Sequence, residues 1–325
     1  MNKLKLFVYV AMLCSVGTVY AQKKTTLSSE IYGYKKEMVY YDCLQSPAIT
    51  AEFHNNPGEQ FTYSFTPQFS PVVMLINGRT EVLMNAGDSL HVVLRQEGRQ
   101  IQLTFSGAER AVGANRLRQE LRQIHRQLNF KSQLLSCAAL DIKPQKRIED
   151  ARTLLEKLKE LVAKSKDVAD PQLVTYIEAE QEAMSYMSFV EYPKMYAEVR
   201  HVAIEDQGIG DYWKLMDGVK LREDAVSLSC PDYTSFLIRY CFFAQEKKAM
   251  EAGQTYVMPD KLETMYEALA KFYTGTQRDA ALYMLLCNFI RNGKQIERVL
   301  PLVKEYKEKY NRNAAYTGVL DSLLQ

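Results

Sequence analysis

Between Val72 and Leu121 the hydrophobic period of this chain changes from two residues to between three and four, and no other feature limits its fold as strongly. The stretch reads VVMLINGRTEVLMNAGDSLHVVLRQEGRQIQLTFSGAERAVGANRLRQEL. Asn77-Gly78 lies between the apolar run Val72 to Ile76 and Val82-Leu83-Met84. Both central residues of a type I′ turn need positive φ, so an Asn-Gly pair between two such runs predicts a hairpin. Gly87-Asp88 predicts a second turn and Glu97-Gly98 a third. Leu90, Val92 and Leu94 fall on one face of a strand, with His91 and Val93 on the other. Ile101, Leu103 and Phe105 alternate with Gln102 and Thr104. From Gly107 the pattern is helical, with Leu117, Leu121, Ile124 and Leu128 on one face.

Upstream, Ile49, Ala51 and Phe53 alternate with polar residues, as do Phe61, Tyr63 and Phe65, with Pro57-Gly58 between the runs. Seven or so short strands at this spacing predict an antiparallel β-sandwich over residues 22–108. Downstream, Ile148, Ala151, Leu155, Leu158 and Val162 form a helical face after Pro144. Asp170-Pro171 opens a long helix expected to run to about Val199, before the loop Gln207-Gly208-Ile209-Gly210. Further helices are expected from Pro231, from Pro259, near Thr276 and near Gln295, because proline suits the first helical turn. Gly253, Gly275 and Gly293 stand where helices should end. The expected fold is α+β: a sandwich followed by an all-α domain of stacked helical hairpins over residues 109–325, without a tetratricopeptide signature.

Residues 1–21 read as a secretory signal peptide. Lys3 and Lys5 precede an apolar run from Leu6 to Val16, and Val19-Tyr20-Ala21 suits cleavage after Ala21. Leu13 stands before Cys14 where a lipoprotein signal needs a small residue. Removing the segment takes the formal net charge from +2 to 0. A neutral chain has no global attraction to nucleic acid, whose affinity rests on phosphate neutralisation. Nothing else reaches membrane-spanning length, so the expected location is periplasmic or secreted.

Two elements of the stretch, L-x-x-G-D-S-L-x-V (Leu83 to Val92) and F-x-G … N-x-L (Phe105 to Leu117), resemble a module of Bacteroidetes TlpA/ResA-like thiol-disulfide oxidoreductases. In that family a small β-sandwich and a helical segment precede a thioredoxin domain. The resemblance implies a shared architecture and compartment, and structural roles for Gly87, Asp88, Ser89, Gly107 and Asn115. It also implies a W-C-x-x-C site, which this sequence lacks: it contains no C-x-x-C, and its single tryptophan, Trp213, has no cysteine beside it. No catalytic residue of the family maps onto this chain.

Cys43, Cys137, Cys230, Cys241 and Cys287 remain after the leader, so at least one thiol is unpaired. Eleven helical residues span about 16 Å, whereas a disulfide needs Cα atoms within about 7 Å. Cys230 and Cys241 therefore stay apart if the helix from Pro231 is continuous. The alternatives are small buried hydrophobes, or an exposed low-pKa thiol at Cys43 or Cys137 that would assist thiol-disulfide exchange.

No catalytic, cofactor or metal site is legible. His54, His91, His125 and His201 are scattered, without the clustering structural zinc requires. Gly208-Ile209-Gly210 lacks the lysine of a phosphate loop, and no G-x-S-x-G is present. Charge is more informative. Arg118, Arg122 and Arg126 recur every four residues, and residues 110–131 carry six Lys/Arg against one acid. Residues 178–206 reverse the balance, with seven acids against Lys194 and Arg200. The two faces either pair within the chain or leave a basic stripe for an acidic partner. Tyr32, Tyr34, Tyr40 and Tyr41 cluster either as strand residues or as a binding surface. The expected function is a non-catalytic periplasmic module that binds a protein partner of the cell envelope.

Overall fold

A computed structural model describes residues 24–56, 58–98, 100–128, 142–293 and 296–325, and the fold is α+β. The signal-peptide reading, Cys137 and the end of the basic run at Lys131 lie outside these residues. Eight strands form two four-stranded sheets. One contains β1 (Thr25–Tyr32), β4 (Gln60–Phe65), β7 (Ser89–Glu97) and β8 (Gln100–Gly107), in the order β4-β1-β7-β8. The other contains β2 (Met38–Cys43), β3 (Thr50–His54), β5 (Val72–Ile76) and β6 (Thr80–Met84), in the order β3-β2-β5-β6. Pairing is antiparallel except between β1 and β7, which run parallel with Thr26 opposite Ser89 and Tyr32 opposite Arg95. That ladder corrects the purely antiparallel expectation. Strand periodicity reports which face is buried, and a parallel and an antiparallel neighbour leave the same trace in it.

The turns follow their sequence chemistry. Asn77 and Gly78 both have positive φ, as a type I′ hairpin requires. The Asn77 side chain accepts from the Tyr40 N–H at 2.9 Å, tying this turn to β2. Leu90, Val92 and Leu94 are buried in β7. In β8 the expected alternation fades: Phe105 is buried, Leu103 half-buried and Ile101 37% exposed, on an edge strand that pairs with β7 alone.

α1 (Glu109–Gln127) follows at once and spans the gap between the two sheet edges. Asn115 accepts from the Leu83 N–H at 3.0 Å and donates to the Leu83 carbonyl at 2.7 Å, so its amide pairs with edge strand β6 as another strand would. One turn on, Gln119 donates to the Leu103 carbonyl of edge strand β8 at 3.2 Å. Gly113 sits where the chain passes over α1, and a Cβ there would fall 2.0 Å from the Val168 carbonyl oxygen.

α2 (Pro144–Ser165) and α3 (Pro171–Val190) pack on α1. Asp170 caps α3, accepting from the Gln172 and Leu173 N–H groups. The long helix expected to reach Val199 breaks at Glu191 and resumes as α4 (Tyr192–Arg200). Pro193 explains the break, since a proline inside a helix clashes with the carbonyl four residues earlier. α5 (Pro231–Glu251) starts on its proline, whereas α6 (Leu262–Phe272) starts three residues after Pro259, capped by Lys261 and Thr264. α7 (Gly275–Arg291), α8 (Ile296–Glu305) and α9 (Ala314–Leu323) complete the chain. α9 returns to the strands: Tyr316 lies 5.9 Å from Phe69, ring to ring. One continuous set of buried side chains runs from Leu27 to Leu320, so the change of class at residue 108 is not a break in the core.

Candidate functional site: a basic cleft and a buried charge cluster

The arginines of α1 are divided among three environments. Arg118 is 3% exposed. Its Nε donates to Glu180 of α3 at 3.1 Å, and one Nη bonds Glu180 and also Glu81 of β6. Arg122 donates to Glu81 at 2.6 Å. Arg118 is thus engaged inside the molecule, and Arg122, half-buried, is paired with Glu81. The apolar face of α1 packs inward, and a four-residue spacing carries the flanking arginines in with it. Arg126 stays exposed, as do Arg110 and Arg116 of the same helix.

Burial acts to raise the Glu81 carboxyl, but Arg118 and Arg122 overcome it and hold it below the usual range. Burial likewise disfavours the Arg118 cation, and Glu180 and Glu81 more than restore it. His125 joins the cluster through Gln181, and burial lowers its affinity for a proton. Asp232, in the first turn of α5, faces the same carboxylates. Burial, then Glu180 and Glu81, push its carboxyl up to about 7.

The described cysteines all lie in the interior. Cys43, Cys230, Cys241 and Cys287 are buried and unpaired. Burial pushes the thiols of Cys43 and Cys287 up to about 11 and that of Cys241 to about 12, and raises Cys230 as well. A nucleophilic thiol needs the opposite shift. Cys230 and Cys241 share the unbroken rise from the N-cap of α5 along the helix, consistent with their lack of a bond. Among the described residues no group of three or more His, Cys, Asp or Glu could hold a metal ion, and no helix is long and apolar enough to cross a membrane. His91 bonds Ser28 at 3.0 Å and lies 3.5 Å from Glu30 on the sheet surface. His54 is exposed, and His201 takes the left-handed conformation that ends α4.

The motif residues of the β-to-α junction serve its geometry. Gly87 has positive φ, the Asp88 carboxylate accepts from the Asn85 N–H at 2.7 Å, and the Ser89 carbonyl accepts from Ala108 at 3.0 Å. Gly107 has φ +111°, and a Cβ there would fall 2.3 Å from the Ser89 oxygen.

An open site lies at the opposite end of the strands. The β1–β2 connection and the β5–β6 and β7–β8 hairpins enclose a cleft of about 560 Å³. Among the described residues Lys35, Lys36 and Arg79 line it and no carboxylate does, although Glu37 and Glu97 adjoin lining residues in the chain. Ile76, Leu94 and Ile101 supply apolar lining, and Asn77, Thr80 and Gln96 supply amide and hydroxyl groups. The basic loop is held on both sides. A Cβ on Gly33 would fall 2.1 Å from the Gln96 carbonyl oxygen, so only glycine permits the loop to lie this close to β7. On the other side Asn55 donates to the Tyr34 and Lys36 carbonyls at 3.1 and 2.8 Å.

Sequence reasoning missed Lys35, Lys36 and Arg79. The available signals were a Lys-Lys pair after Gly33 and an arginine following the Asn-Gly turn. The N-terminal tyrosines separate: Tyr41 is core, Tyr34 lines the cleft, and Tyr40 is 41% exposed. No family model, curated protein or solved structure matches the chain.

Proposed function

We propose that this protein is a non-catalytic binding module of the periplasm that engages a protein partner of the cell envelope through the cleft between Lys35, Lys36 and Arg79. The cleft carries the reading. Its volume falls in the usual range for ligand sites of about 300–1,000 Å³. Its cationic residues form no ion pair among the described contacts, whereas the described thiols are buried and held protonated. In this reading residues 22–108 are a sandwich. The Ser29–Tyr41 hydrogen bond and the Phe53–Phe61 ring contact at 5.6 Å, each joining one sheet to the other, support that packing. The helices from α5 onward stack as antiparallel hairpins, supported by Tyr273 donating to the Leu237 carbonyl and Tyr306 to that of Asp279. The whole corresponds to the front portion of the TlpA-like architecture without its redox centre.

Crosslinking of the exported protein in intact envelopes tests this reading. A specific protein adduct, lost when Lys36 and Arg79 are reversed in charge, is the expected result. Turnover of a small molecule with no specific adduct overturns it.

A further inference from the structure

Resting on the binding-module reading, we infer that the cleft accepts an acidic polypeptide segment with one apolar side chain, the acids meeting Lys35, Lys36 and Arg79 and the apolar group meeting Ile101. Charge complementarity selects the acids. Three cations share one opening, and no lining carboxylate neutralises them. The rest of the lining selects a peptide over an acyl chain. The Asn77 Oδ1 and Gln96 Nε2 are already bonded to the Tyr40 N–H and the Gly98 carbonyl, but the Asn77 amide N–H and the Gln96 Oε1 remain to meet peptide C=O and N–H, which a hydrocarbon cannot do. The apolar side chain has a defined place. Ile101 is a large aliphatic residue left 37% exposed near the end of edge strand β8, opposite Gln96 on the cleft wall.

The site is built before anything binds. Gly33 and Gln96 fix one side of the basic loop and the Asn55 amide fixes the other, so little loop ordering is required on association. Arg118 and Arg122 already hold their carboxylates, while Lys35, Lys36 and Arg79 are exposed with no recorded ion pair.

Fluorescence anisotropy with a labelled five-residue probe, two acids on each side of a leucine, tests the inference on the full exported chain. Saturable one-site binding is expected, weakening at least tenfold when the acids become glutamine and again when the leucine becomes alanine. K36E with R79E should weaken it at least tenfold with an unchanged circular dichroism spectrum, whereas K159E, on the exposed face of α2, should not. I101D should abolish the preference for leucine over alanine. Equal binding of the glutamine probe, equal loss in K159E, or no binding at low salt overturns the inference. A photo-crosslinker at position 36 separates the two readings. If the probe fails but an envelope-protein adduct forms there and is competed by unlabelled chain, only the ligand class falls. If neither appears, both fall.

Discussion

Asp232 is a carboxyl whose surroundings oppose its ordinary charge. Aspartate in the first turn of a helix is ordinarily favoured in its ionised form by the helix dipole. Here burial beside Glu180 and Glu81 outweighs that, and the carboxyl stands at about 7 rather than near the unfolded value of about 4. The fold therefore favours protonated Asp232. Its stabilising effect is complete below about pH 4 and is lost as pH rises through about 7. Asp232→Asn should raise the unfolding free energy measured by urea titration at pH 8, by roughly 1–2 kcal/mol once screening of this half-buried group is allowed for, and change it little at pH 4. A gain as large at pH 4 as at pH 8 would contradict this. Arg118 is the opposite case. Removing it leaves Glu180 and Glu81 facing each other with one guanidinium fewer, so Arg118→Ala should cost on the order of 3–5 kcal/mol. Chemical denaturation at pH 7 measures it, and a loss below 1 kcal/mol would show that the cluster relaxes into water.

At the scale of elements, α1 decides how strands and helices join. One helix reaches an edge strand of each sheet, through Asn115 on Leu83 of β6 and Gln119 on Leu103 of β8, and its arginines reach Glu81 and Glu180. Gly113 separates local from tertiary control. Glycine inside a helix is worse than alanine by about 1 kcal/mol, so local propensity makes Gly113→Ala stabilising. The Val168 carbonyl would lie 2.0 Å from the new Cβ, and backbone cannot swing aside as a side chain can. The expected outcome is a net loss of about 1–3 kcal/mol, as for other overpacked sites. A rise in the thermal midpoint would mean that the 165–170 segment moves freely. The element types themselves were legible: the Asn77-Gly78 turn, the alternation of β7 and the change of period at Gly107 all appear in the fold. The parallel partnership of β1 with β7 was not, because residues about sixty positions apart leave no local trace of their register.

For the molecule as a whole, the continuous core is the governing fact. Strand residues such as Val72 and Met84 and helix residues such as Leu121 and Leu320 belong to one buried set. A single cooperative unfolding transition should follow, with far-ultraviolet circular dichroism and tyrosine fluorescence giving coincident midpoints; two separated transitions would divide the chain at residue 108. The same packing shields the thiols. Cys43, Cys230, Cys241 and Cys287 should resist maleimide labelling in the native protein and react together in denaturant, and fast native labelling at any of the four would reopen thiol exchange.

By itself the sequence determined the period of each segment, its turns and most of its caps, because these depend on neighbours within a few positions. It left two fates open for the arginines of α1 and gave no weight to Lys35, Lys36 or Arg79. The tertiary structure decided both matters. Whether a charge is consumed or offered depends on which distant carboxylates the fold brings to it: Glu81 and Glu180 reach Arg118 across 37 and 62 residues of chain, while no carboxylate lines the cleft at the far end of the strands.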